Sequence, residues 1–245
     1  MIWLATAFLV TALLYASVGF GGGSTYTALL ALSGYDYRLL PILALCCNIV
    51  VVTGGTIRFA RAGVMPWRKA LALALLAAPM AFLGGLTPVS EAVFLAVLGT
   101  SLIVAGLALL LPQVPADPAA PHHLARHMGW AALPLGYLSG LVGIGGGIFL
   151  APLLHLTRWA AASEVAATAS LFILINSLSG LVGQLAKNGP ERFGEAMLAG
   201  WPLLLAVVIG GQVGSLLALR ILPARVIRGL TAVLTIWVGS RLIFS

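Results

Sequence analysis

Gly19-Phe20-Gly21-Gly22-Gly23 and Gly143-Ile144-Gly145-Gly146-Gly147 are near-identical runs, set in apolar sequence in the two halves of the chain. Each glycine costs a helix interior roughly 1 kcal/mol relative to alanine, so four in five positions break a helix. An apolar stretch precedes each run, from Ile2 to Val18 and from Met128 to Val142. A short apolar piece follows, from Ser24 to Ser33 and to near Leu156. Neither short piece has the ~20 apolar residues that cross a bilayer alone. Irregular backbone at membrane depth is tolerated only where it is buried in protein or lines a wet cavity. The pattern predicts two membrane helices broken at matching places, each continued by a short re-entrant segment.

Working outward, 61% of the 245 residues are hydrophobic and 8% are charged. A soluble domain carries about 25% charged residues, so a soluble enzyme, a disordered chain and a secreted disulfide scaffold are excluded. An outer-membrane barrel is excluded because its strands alternate polar and apolar positions. Further apolar runs cover about 39–57, 70–86, 92–111, 165–185, 196–219 and 226–244. The fold class is therefore all-α: a polytopic membrane protein of about eight transmembrane helices in two homologous repeats with glycine-broken short segments. Residues 1–111 form the first repeat and 128–245 the second. The connector 112–127 holds Pro112, Pro115, Pro118 and Pro121 among its histidines, a density that stops helices. The glycine clusters recur at a shift of 124, and the pairs Asn48/Asn176 and Gly55/Gly183 at 128, in the same order.

Residues 1–18 carry no Lys or Arg ahead of the apolar run, so they read as a mature first span rather than a signal peptide. Trp3, Trp67, Trp130 and Trp159 fall near span ends, where aromatic belts form. Trp201 and Trp237 lie deeper and are expected to pack inside the protein. Cys46 and Cys47 are adjacent in an apolar run and read as small packing residues; no metal set surrounds them. The net charge of +7 reads as basic residues at headgroups rather than nucleic-acid binding. The loop with Arg58, Arg61, Arg68 and Lys69 is expected to be cytoplasmic. The loop with Arg220, Arg225 and Arg228 would face the other side in a plain eight-span arrangement, a conflict that points away from that arrangement or to inversion.

An unwound glycine run exposes backbone N–H groups, and a following short helix adds the positive end of its dipole. Together they make a site for a small anion without any Lys or Arg at membrane depth. The candidates are Gly19, Gly21, Gly22 and Gly23 with Ser24 and Thr25, and Gly143, Gly145, Gly146 and Gly147. Asn48 and Asn176 join them because a carboxamide in an apolar span needs a hydrogen-bond partner. Thr168, Ser170, Ser177 and Gln184 add hydroxyl and amide contacts. The competing readings are close helix packing for the glycines, interhelical bonds for the asparagines and bonds to the own helix backbone for Ser and Thr. None of the six acidic residues falls in the middle of a span, which leaves no carboxylate relay of the kind proton pumps use. His155 reads as interfacial. No catalytic group, metal or cofactor is expected. A hydrolase built on Ser139 and His155 lacks a third group to orient the histidine. A dinucleotide fingerprint at Gly19–Gly23 lacks its strand–helix–strand setting.

The paired clusters, the succession Ala151-Pro152-Leu153-Leu154, the run Ala166-Ala167-Thr168-Ala169-Ser170-Leu171 and Asn176-Ser177 resemble the TauE/SafE family of sulfite-exporter-like membrane proteins. The resemblance spans about residues 4–243. It implies a multi-pass permease of a bacterial or archaeal inner membrane that moves sulfite, sulfonates or related sulfur compounds by alternating access between two repeats. Its partners would be a small anionic substrate and the lipid bilayer, with no nucleic acid; a homo-oligomer stays open. The alternatives are a non-transporting partner subunit and an intramembrane hydrolase. One departure is that Thr27-Ala28 stands in the first copy where the second has Ala151-Pro152.

Overall fold

The computed structural model describes residues 2–18, 20–111, 127–217 and 224–244. Gly19, most of the connector (112–126) and Arg220 lie outside the described residues. Helices follow one another along the chain as α1 (Ile2–Val18), α2 (Gly23–Leu32), α3 (Leu40–Arg61), α4 (Trp67–Leu86), α5 (Glu91–Leu110), α6 (Met128–Val142), α7 (Gly147–Leu156), α8 (Ala162–Leu217) and α9 (Ala224–Phe244). Leu40–Arg61, Trp67–Leu86, Glu91–Leu110 and Ala162–Gly214 are long and apolar enough to cross a bilayer. The chain is thus an all-helical, multi-pass membrane protein. At 17 and 15 residues, α1 and α6 fall short of the roughly 20 a span needs, and each ends at a glycine break. The stretch 165–185 and the described part of 196–219, up to Leu217, are two halves of α8, divided where Gly189 takes φ 78° and ψ 168°.

Small residues decide how the helices approach, as is usual where lipid removes the hydrophobic drive between helices. A Cβ on Gly136 or Gly140 of α6 would strike the backbone of α4, at Ala77 or Ala81. Gly210 and Gly214 in the second half of α8 meet Leu9 and Leu13 of α1 in the same way. These rising number pairs make α6 parallel to α4, and α1 parallel to the second half of α8. Gly99 meets Gly239 and Ile243, whereas Gly106 meets Ala232 and Ile236, so α5 and α9 are antiparallel. Gly55 faces Ser170 while Leu45 faces Gly180, so α3 and the first half of α8 are antiparallel too.

Side-chain ties then sort the loops between two ends. Arg58 at the end of α3 donates to Ala16 O of α1 (3.4 Å). Lys69 stands over the Trp159 ring at 5.4 Å. Arg228 donates to Leu109 O and Leu111 O, both at 3.0 Å. This end therefore holds Arg58, Arg61, Arg68, Lys69, Arg158 and Arg228, and is called the basic end. At the opposite end Arg192 pairs with Asp36 (3.8 Å) and Lys187 donates to Thr87 O (3.3 Å). The loop 58–69 and the start of α9 thus share one end, which removes the conflict that a plain eight-span arrangement creates.

The two broken helices run in opposite directions. Helix α1 starts at the opposite end and reaches the basic end, and α2 returns beside it: Phe8 stacks on Tyr26 with ring centroids 4.7 Å apart. Helix α6 starts at the basic end, and α7 returns there, where His155 meets Arg228 and Leu109. One expectation fails. Trp201 and Trp237 are 61% and 55% exposed, so they face outward instead of packing inside. In a bilayer the outer surface is as apolar as the interior, so depth along a span does not predict burial of an aromatic ring.

Candidate functional site

The two glycine breaks pass each other at Asn48, which α3 holds fully buried. Asn48 Nδ2 donates to Gly143 O at 3.3 Å, tying α3 to the second break. A Cβ on Gly21 or Gly23 would collide with the Asn48 carboxamide, and one on Gly23 would also lie 2.6 Å from Ile144 O. A Cβ on Gly145 would lie 2.8 Å from both Asn48 Nδ2 and Ile173. Only glycine lets both chains pass here, so the close approach itself requires these residues. Gly145 and Gly146 also take φ 85° and 75°, and Gly22 takes 81°, values that side chains other than glycine's rarely adopt.

Each break delivers a helix N-terminus to the interior. Gly22 and Gly146 are the N-caps of α2 and α7, and neither helix has a side-chain cap. Tyr26 N is the first in α2 to find an intrahelical acceptor, Gly22 O at 3.0 Å. The N–H groups of Gly23, Ser24 and Thr25 precede it in the first turn, where helix geometry supplies no acceptor. A buried helix start without a cap is a preformed place for negative charge.

The lining around α2 is rich in hydroxyls. Ser24, Thr25 and Thr27 are all buried. Tyr15 and Thr25 share a hydrogen bond of 2.8 Å, and Thr27 donates to Gly23 O at 2.8 Å. The Tyr26 hydroxyl is buried without a partner, as are Ser139 Oγ, Ser177 Oγ, Asn48 Oδ1 and Asn176 Oδ1. Buried polar atoms are nearly always satisfied, so these five are candidates for contact with a bound molecule. The carboxamide orientations follow from their surroundings. Asn48 Nδ2 faces Gly143 O and Asn176 Nδ2 faces Phe172 O (2.8 Å), which leaves each Oδ1 as an open acceptor.

The other candidates divide. Gly143 rests against Pro41, and Gly147 against Ile173. Ser170 joins the site's frame, bonding Thr56 Oγ1 (3.0 Å) and Val52 O (3.3 Å) across to α3. Gln184 clamps α6, donating to Gly140 O at 2.9 Å, one turn from the break. Thr168 only bonds Glu164 O of its own helix (2.7 Å). Asn176 likewise bonds its own helix and does not mirror the crossing made by Asn48. Tyr15, Tyr26 and Ile173 surround the breaks without any mark in the sequence that assigns them there, and Ser139, weighed from sequence only as a hydrolase nucleophile, lies beside Gly146. The tyrosine hydroxyls are the detectable signal: Tyr26 stands three residues after Gly23 in an otherwise small and apolar segment.

Two recesses flank the crossing. At the opposite end a cleft of about 190 Å³ lies between Tyr37, Arg38, Pro41, Leu141, Gln184, Lys187 and Asn188. At the basic end a recess of only about 20 Å³ lies between Phe20, Pro152, His155 and Arg228. No group of three or more His, Cys, Asp or Glu placed to hold a metal occurs among the described residues.

The family model described as sulfite exporter TauE/SafE matches residues 3–242. A protein of Sinorhizobium fredii described as the probable membrane transporter protein y4hK is 36% identical, over 99% of this chain and 98% of its own length. No solved structure matches the chain.

Proposed function

The chain belongs to the sulfite exporter TauE/SafE family and is a membrane transporter rather than an enzyme; from that premise we propose that it carries small sulfur oxyanions by alternating access. The observation that carries this reading is the crossing of the two glycine breaks at Asn48. There the buried, uncapped start of α2 lies with the unpartnered Tyr26 hydroxyl and Asn48 Oδ1, and among the described residues no Asp, Glu, Lys or Arg is fully buried. Backbone N–H groups and hydroxyls are donors that hold an anion without the penalty of a buried cation.

The open acceptors refine the cargo. Asn48 Oδ1 and Asn176 Oδ1 repel a bare oxyanion and welcome one that carries a proton. Hydrogensulfite has both halves of that chemistry: oxyanion oxygens for the donors and one acidic hydrogen for a carboxamide oxygen. Sulfite flux should therefore rise as pH falls through the sulfite–hydrogensulfite equilibrium, and sulfate should be a poor substitute.

The oppositely directed hairpins supply the conformational half of the mechanism. Two repeats of inverted topology place a site between them near the midplane, and rocking one against the other exposes it to alternate sides. The basic end faces the cytoplasm, because loops rich in Lys and Arg stay inside. On that orientation Phe244, at the end of α9, lies outside. An alkaline phosphatase fused to the C-terminus should then be active, and an active cytoplasmic reporter at the same position would reverse the orientation.

The test of function is flux in proteoliposomes. Sulfite should cross faster than in empty vesicles, and Gly23→Val should abolish the difference. Absence of flux for sulfite, sulfate, thiosulfate and short sulfonates alike would sink the transport reading.

A further inference from the structure

Beside the crossing lies a second set of groups that the proposed site does not use. The cleft at the opposite end carries Arg38 and Lys187, with no acidic residue among its lining. Lys187 is half-buried and donates to the Thr87 carbonyl, which lends dipole but no full charge. Arg38 is exposed and donates to the Tyr37 hydroxyl (3.2 Å). Asp36 and Glu91 act on Arg38 from the rim, but Asp36 is engaged by Arg192. Gln184 and Asn188 complete the wall, with Asn188 Nδ2 donating to Gln184 Oε1 at 3.1 Å.

The floor of this cleft is the roof of the crossing. Pro41 and Leu141 line it; a Cβ on Gly143 would sit 2.6 Å from Pro41 Cα, and Gly143 O is the acceptor of Asn48. Gln184, also in the wall, holds Gly140 O one turn earlier. A single layer of residues therefore separates two cations from the uncharged crossing. Half-buried positive charge beside an apolar wall focuses the local field and raises the concentration of small anions.

We propose that Lys187 and Arg38 form an anion-recruiting vestibule that takes singly charged oxyanions, short sulfonates included, before they reach the Asn48 crossing. This rests on the transport reading for its purpose, but its electrostatics are independent of flux. Separating the two tasks has a physical logic. Charge at the rim speeds capture, while its absence at depth lets the anion leave again.

The test uses the full chain in phosphatidylcholine vesicles, with Cys46→Ala and Cys47→Ala and a single reporter, Val89→Cys, in the cleft wall. The reporter is modified in parallel by an anionic methanethiosulfonate bearing an ethylsulfonate and by its cationic trimethylammonium counterpart. The anionic reagent should be favoured relative to a free thiol. Lys187→Gln should lower the anionic-to-cationic rate ratio about fivefold, as expected for one charge within several ångströms acting on both reagents. Arg38→Gln should lower it less, being more exposed. Ethanesulfonate should protect the reporter and tetramethylammonium should not. A ratio unchanged by Lys187→Gln, or no protection by ethanesulfonate, overturns the vestibule even if sulfite flux is found. Normal vestibule behaviour in a chain without flux for any anion would instead leave the vestibule standing and defeat the transport reading.

Discussion

The α1–α2 and α6–α7 hairpins share one grammar and differ in chemistry. Both break at glycines and begin a ten-residue helix at an uncapped glycine. After the break, α2 reads Gly23-Ser24-Thr25-Tyr26-Thr27, while α7 reads Gly147-Ile148-Phe149-Leu150-Ala151. Hydroxyls are buried in one helix where aliphatic and aromatic side chains are buried in the other. The asparagines differ as well. Asn48 reaches across to the second break, while Asn176 bonds its own helix. The difference teaches that a shared backbone device need not mean a shared role. The first hairpin supplies polar contacts, and the second is the wall they face, pinned by Asn48 and Gln184.

That division can be broken most sharply at the glycines. Gly23→Val should lower sulfite flux by at least about 100-fold, since its Cβ meets both Asn48 and Ile144 O. Gly145→Ala adds a positive φ to a close contact and should cost about 1–3 kcal/mol of stability, read as a lower Tm in detergent. A Gly23→Val protein that folds and transports normally would remove the crossing from the mechanism.

The asparagines come next. Asn48→Ala should cut flux about tenfold, the scale of losing a buried hydrogen bond and its alignment. Asn176→Ala should cost less, because its bond is local. Equal losses from both would restore symmetry between the hairpins and defeat the division of roles.

Smaller effects sharpen the same contrast. Ser24→Ala with Thr25→Ala should reduce flux by about three- to tenfold with little change in Tm, because donors are lost and no large cavity is left. Ile148→Ala in α7 should do the reverse, lowering stability by about 2–4 kcal/mol through the cavity while substrate affinity holds. The least change is expected at Thr168→Ala, within about 0.5 kcal/mol, since that hydroxyl only bonds Glu164 O. A marked flux defect there would return Thr168 to the site.

Much of this was legible in the sequence for local reasons. Apolar length predicts helices, and consecutive glycines predict where they stop, because both depend on neighbouring residues alone. Asn48 stands out because a carboxamide in an apolar run must find a partner. The identity of that partner was not legible: Gly143 is 95 residues away. The vestibule was hidden for the same reason. Arg38 lies in the loop after α2 and Lys187 near the end of the first half of α8, and only packing puts them in one cleft. Trp201 and Trp237 face outward with no mark of it in the sequence, because a lipid-facing surface carries no polar signature.

The sequence by itself determined that the chain is helical, lies in a membrane, breaks twice at glycine and keeps full charges out of its spans. These follow from the cost of moving charge and unpaired backbone into hydrocarbon, which is paid residue by residue. The tertiary structure decided that the hairpins run in opposite directions, that their breaks cross at Asn48, and that the arginines at 58–69 and 228 share one end. Those facts depend on which small residues let which backbones touch, and such contacts join segments that no local pattern connects.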